Sequence, residues 1–135
     1  MTEDLVTESL LLAAEQDIDI TPLIYDRFFA YSPESHALMA HVDETALGKM
    51  MEEVFRLVMV EDYAPEAGYL TWEVNNHEVA YSVDPDMYEP LFRALIETIR
   101  ESLGDRWSPE IEQAWLTRTA ELQGQIVGRF EQQPA

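Results

Sequence analysis

The sequence has no cysteine. That excludes disulfide staples, thiolate-ligated zinc, iron–sulfur clusters and thiol catalysis. It also fits a reducing compartment, and a cytoplasmic location is the expectation. Basic residues are scarce, eight Lys and Arg against 27 Asp and Glu, for a net charge of −19. A chain this acidic repels phosphate backbones and anionic bilayers, so neither nucleic acid nor membrane is an expected partner. The acidity keeps a protein soluble and would equally suit a salt-rich habitat. No uncharged apolar run approaches the ~20 residues of a membrane span. The segment after Met1, Thr2-Glu3-Asp4-Leu5, has no positive region of the kind that opens a secretory signal. Nucleophile-elbow, zinc-protease, phosphate-loop and dinucleotide glycine patterns are missing too. Carboxylates are so abundant that no pair of them stands out for acid–base work.

What is present is a chain of 135 residues with 47% hydrophobic side chains. It is too apolar for intrinsic disorder, and its length fits one domain over residues 1–135. A chain of this size buries roughly two thirds of its unfolded surface, enough for a core without staples. Four places pair a polar cap with proline: Thr21-Pro22, Ser32-Pro33, Asp84-Pro85 and Ser108-Pro109. Each reads as a helix start, because the cap oxygen accepts a free N–H and proline needs none there.

Apolar residues then recur at three- and four-residue steps. Tyr88, Leu91, Phe92, Leu95, Ile99 and Leu103 form one stripe, closed by Gly104 as a left-handed cap. Ile111, Ala114, Trp115, Leu122, Ile126 and Phe130 form another. Met50, Met51, Val54, Phe55 and Val58 form a third, on a helix starting near Asp43. Leu23, Ile24, Phe28 and Phe29 mark a short helix, Leu5 to Gln16 an opening one, and a further short one is expected within Pro65–Ala80. No stretch alternates with period two at strand length. The expected fold is all-α, with six to eight helices and a long antiparallel C-terminal helix pair joined at Gly104–Ser108.

Three histidines, His36, His41 and His77, are the available imidazoles. His77 stands in Asn75-Asn76-His77-Glu78-Val79-Ala80-Tyr81-Ser82-Val83-Asp84-Pro85-Asp86-Met87-Tyr88. This stretch resembles the proximal-histidine corner of the globin family, with Tyr81, Val83, Asp84-Pro85 and Tyr88 at matching places. Leu103-Gly104-Asp105-Arg106-Trp107-Ser108-Pro109-Glu110 resembles the turn between the last two globin helices. Tyr25-Asp26-Arg27-Phe28-Phe29-Ala30-Tyr31-Ser32-Pro33-Glu34 is similar to the second-to-third helix junction of single-domain bacterial globins and flavohaemoglobin haem domains. The likeness runs over about residues 5 to 130.

The resemblance implies a globin-like fold carrying haem b, with His77 as proximal ligand to the iron. A neutral imidazole donates its lone pair and leaves one axial position for a gas. By the same resemblance Tyr25 is the distal tyrosine. Leu47 is the distal residue on the helix over the iron, and Met51 is an apolar wall one turn on. Met39 falls where globins place a haem-facing phenylalanine, and Val83 and Tyr88 complete the cofactor-binding set. Lys49, Arg93 and Arg106 are the cations considered for the propionates, and exposed surface residues are the plainer reading of each.

The implied function is reversible binding of oxygen, nitric oxide or carbon monoxide. Nitric oxide oxidation or weak peroxidase activity would need an external reductant, hence a separate reductase, since no reductase domain follows residue 135. A homodimer is left open. Met39, together with Glu73 and Asn76 where apolar residues are usual, departs from the family pattern. Those departures favour an alternative: a globin-like sensor or protein-interaction domain without haem.

Overall fold

The computed structural model describes residues 4–16, 19–60, 63–66, 68–70 and 85–131. Among them six α-helices carry the fold: α1 (Leu5–Ala14), α2 (Ile20–Tyr31), α3 (Pro33–Leu38), α4 (Glu44–Val58), α5 (Tyr88–Leu103) and α6 (Pro109–Glu131). Residues 68–70 are also helical, in the region where a further short helix is expected. Short 3-10 turns occupy Ala64–Glu66, Pro85–Met87 and Gly104–Arg106. No strand occurs among the described residues. The fold is all-α and globin-like, and the long C-terminal pair is α5 and α6.

The caps explain where the helices begin. Ser32 Oγ accepts from Ser35 N at 3.3 Å, Asp43 Oδ1 from Ala46 N at 2.8 Å, and Ser108 Oγ from Ile111 N at 3.2 Å. Each satisfies a donor that the first helical turn leaves unpaired. Two expectations need correction. The cap of α2 is Asp19, which accepts from Thr21 N at 3.0 Å, so Thr21-Pro22 lies inside the first turn. A carboxylate at that place outcompetes the hydroxyl because it also meets the positive end of the helix dipole. Gly104 has φ +53° as expected of a glycine stop, but ψ is −120°, not the left-handed helical value. That backbone belongs to the first central position of a type II′ turn, which glycine alone adopts easily.

The core joins residues of all the major helices. Ile24, Met51, Leu70, Leu95, Ile99, Trp115 and Leu122 are among its fully buried members. The stripe on α5, and that on α6 from Ile111 to Ile126, are buried or half-buried against the core, whereas Leu23 on α2 and Met50 on α4 are exposed. Each precedes the truly buried position (Ile24 and Met51) by one residue, a rotation of about 100° on a helix. Packing pairs α2 with α5, α1 with α6 and α5, and α4 with α6 and α1.

Two polar contacts pin this arrangement from inside. Trp115 Nε1 donates to Ser9 Oγ at 2.7 Å, both groups buried, so the indole fills the α1–α6 seam without an orphaned N–H. Arg118 on α6 donates to the carbonyl oxygen of Val58, the last residue of α4, at 2.6 Å. It also meets Asp4 Oδ1 at 3.0 Å, just before α1. One guanidinium thereby ties three helices.

Candidate functional site

The expected site residues come from four elements, and the helix packing decides which of them meet. Tyr25 lies midway along α2 and is 7% exposed. Its hydroxyl donates to the carbonyl oxygen of Leu47 at 2.8 Å, across to α4. Met51, one turn beyond Leu47, is fully buried. Leu47 is half-buried and packs on the core, as does Met39 just after α3. Tyr88, the first residue of α5, is likewise half-buried against the same core.

The side chains of Tyr25, Leu47 and Met51, the residues expected on the distal side, are thus apolar apart from the Tyr25 hydroxyl. Burial pushes the Tyr25 phenol up to about 12, so it remains a proton donor at all ordinary pH values. Phe29, one turn along α2, sets its ring 5.5 Å from that of Tyr25. The ring of His36 stacks on Phe29 at 4.7 Å from outside, with an interplanar angle of 20°. This makes a short aromatic row running from the buried phenol to the exposed imidazole.

His77 and Val83 lie outside the described residues, as do Glu73 and Asn76. Among the cations considered, Lys49 and Arg106 are exposed. Arg93 is engaged at the surface: it pairs with Glu97 at 3.4 Å and lies 4.4 Å over the Tyr31 ring. His41 sits exposed in the turn after α3.

Whether these residues suit a haem can be tested on the α2–α4 side. A gas-binding face needs an apolar wall that excludes water and few polar groups aimed into it. Met51, Leu47 and Met39 are apolar members of the core or packed against it, and Tyr25 carries one hydroxyl, so the chemistry of these side chains fits such a face. No group of three or more His, Asp or Glu able to hold a metal ion exists among the described residues. Haem iron asks the protein for a single imidazole rather than such a cluster. A separate open cleft of about 600 Å³ lies between α2 and α5, lined by Ile20, Leu23, Arg27, Thr98 and Glu101 among others. None of the expected site residues lines it.

The feature that sequence reasoning missed is backbone. Leu47 was singled out for an apolar side chain, yet it is the Leu47 carbonyl that meets Tyr25. The available signal was the buried tyrosine itself, since a buried phenol O–H needs an acceptor and apolar neighbours offer only their main chain.

No family model matches the chain. Leghemoglobin-1 of Vicia faba is 29% identical to it over 126 residues, covering 84% of this chain and 85% of that protein. Among the described residues no helix is long and apolar enough to cross a membrane. The chain is thus similar to a globin over most of its length, and it has a globin-like all-α fold to match.

Proposed function

We propose that the protein is a single-domain globin that holds haem b through His77 and binds a diatomic gas on the side bounded by Tyr25, Leu47 and Met51. The observation that carries this reading is the hydrogen bond from the buried Tyr25 phenol on α2 to the Leu47 carbonyl on α4, which joins two residues that the resemblance puts on the distal face. The likeness to leghemoglobin-1 supports the same direction.

When bound, haem would supply the iron that takes the gas. The chain's part is to exclude water with Met51 and Leu47, to offer the Tyr25 proton, and to present the His77 imidazole from the segment before α5. Val83 and Tyr88 would line the pocket beside it. Oxygen binding is the simplest use of such a pocket. Nitric oxide oxidation extends it only with electrons from a separate reductase, and the expected setting is the cytoplasm.

The test is reconstitution with haem followed by absorption spectroscopy. A Soret band that shifts on adding carbon monoxide is the expected result. Replacing His77 with alanine should abolish the carbon monoxide-sensitive spectrum of a protein that still folds. A variant with an unchanged spectrum would refute the proximal assignment.

One observation favours the second reading, a globin fold working without haem. The Tyr25 hydroxyl already has a partner in Leu47, so the distal side is polar-satisfied with no ligand present. Absence of any Soret band after reconstitution would select that reading.

A further inference from the structure

We propose that the open cleft between α2 and α5 binds a small amphipathic amine, an ammonium group on a short hydrocarbon body. This site goes beyond the haem reading and does not depend on it, because none of the expected haem-site residues lines the cleft. Two helix faces build it. Ile20, Leu23 and Arg27 fall at three- and four-residue steps along α2, and Thr98, Glu101 and Ser102 do so along α5. Gln16, just past α1, closes one end. The volume is about 600 Å³, within the range of small-molecule sites.

The lining selects the ligand's chemistry. Leu23 leaves 44% of its surface to water and packs on no part of the core, so a hydrocarbon chain laid beside it gains burial. The polar atoms are mostly acceptors with capacity to spare. Asp26 makes no ion pair or side-chain hydrogen bond among the described residues. Gln16 Nε2 donates to the Leu12 carbonyl at 3.4 Å, which leaves its amide oxygen open. Thr98 Oγ1 spends its proton on the Ala94 carbonyl at 2.8 Å and keeps only lone pairs. The Ser102 hydroxyl serves either way. The charged donor of the cleft, Arg27, is already engaged: it is hydrogen-bonded to Glu101 and pairs with Glu97 at 3.7 Å. An ammonium brings three donors and no acceptor, the complement of this lining. A carboxylate would have to displace Glu101 from Arg27 and enter the field of a chain carrying −19, so the cleft rejects anions.

The experiment titrates hexylammonium chloride into the purified protein by calorimetry and amide NMR, in about 0.3 M sodium chloride to screen diffuse attraction. A single saturable site is expected, with amide shifts concentrated at Leu23, Asp26, Thr98 and Ser102. Methylammonium has the charge without the chain and should bind at least about 10-fold more weakly. Hexanoate has the chain with the opposite charge and should not bind. Asp26→Asn should weaken hexylammonium about 2- to 5-fold, the worth of one exposed ion pair. Leu23→Gln should weaken it about 3- to 10-fold through lost apolar contact. Hexanoate binding as well as hexylammonium would overturn the proposal, as would methylammonium doing so or both variants binding like the wild type.

If the variants fail to fold, the wild type decides alone through the map of shifted amides. Shifts that spread over the acidic surface and keep rising without saturation would show only a loose cloud of counter-ions and refute the site. A missing Soret band would sink the haem reading and leave each of these outcomes as it stands, so the two failures are told apart.

Discussion

Replacing Arg118 with methionine should destabilise the protein by about 3 kcal/mol, and the reason lies in what one guanidinium holds. Arg118 and Asp4 expose only 14% and 16% of their side chains. Methionine retains much of the apolar stem but gives nothing to the Val58 carbonyl, a helix-end acceptor that α4 cannot satisfy itself. Losing a bond from a charged donor to that carbonyl is worth about 1.5–3 kcal/mol. Asp4 is also left with Thr7 as its remaining partner among the bonds described, at 2.6 Å. Breaking one half of a sheltered pair leaves the other charge poorly compensated, which adds to the loss.

Asp4→Asn should cost less, about 1–2 kcal/mol, because the amide still accepts a neutral hydrogen bond. Its loss should depend on pH. Burial alone would raise the Asp4 carboxyl, but hydrogen bonds from Thr7 and Arg118 outweigh it and hold the group below its usual value of 3.8. A folded value below the unfolded one stabilises above the unfolded pKa and ceases to do so as pH falls through the folded value. The gap between wild type and Asp4→Asn should therefore be constant near neutrality and close below about pH 4. Urea denaturation across that range measures it. A gap that persists unchanged into acid, or an Arg118→Met variant within about 0.5 kcal/mol of wild type, would refute the reasoning.

Two further perturbations have definite signs. Burial raises Tyr25 and Tyr63 each to about 12 from 10.0. Raised folded values contribute stability below about pH 10 that is lost as pH climbs through about 12, up to roughly 2–3 kcal/mol per phenol. Alkaline unfolding should be shallower in Tyr25→Phe or Tyr63→Phe than in wild type, and an unaltered slope in both variants would contradict the burial argument. Gly104→Ala should cost about 1–3 kcal/mol, because φ +53° with ψ −120° strains any side chain even though a Cβ there meets nothing within 4 Å. Thermal melting checks it, and a neutral or stabilising alanine would show that the turn relaxes to another geometry.

The helices were legible because their signals are local. The stripe from Tyr88 to Leu103 and the caps at Ser32, Asp43 and Ser108 each depend on residues within one or two turns, and each stands in the structure. Failures came where two local signals competed. Asp19 displaced Thr21 as a cap because both were eligible and charge tipped the balance. Leu23 and Met50 are apolar residues beside a buried stripe, and composition cannot say which edge of a stripe meets water. The site was legible only as far as side chains carry it. The resemblance named Tyr25, Leu47 and Met51, and a single hydrogen bond from α2 to α4 joins the first two. That the contact uses a carbonyl was invisible, since every residue has one. The Arg118 tie was invisible for a different reason: its partners lie 114 and 60 residues away, and nothing near Arg118 announces them.

Acidity makes the last prediction, and magnitude decides its direction. The net charge is −19. Of the cations, Arg27 is paired with Glu97 and Glu101, Arg56 with Glu53 and Glu66, and Arg100 with Glu112. Salt weakens such exposed pairs and also screens the repulsion among the remaining carboxylates, two effects of opposite sign. A charge of this size smeared on a sphere of about 18 Å repels itself by about 15 kcal/mol at about 0.1 M salt and by about 6 at about 1 M. For an unfolded coil of about 38 Å the same change is from about 4 to about 1 kcal/mol. The folded state thus gains about 6 kcal/mol relative to the unfolded one, as an upper bound. Even losing a pair at each of the eight basic residues, at about 0.5 kcal/mol each, would remove only about 4. Screening wins, and the melting temperature should rise steadily with sodium chloride over this range. Sodium chloride is the right probe because sulfate would also strengthen apolar burial and confuse the cause. A melting temperature that falls with added sodium chloride would mean that the ion pairs outweigh the repulsion.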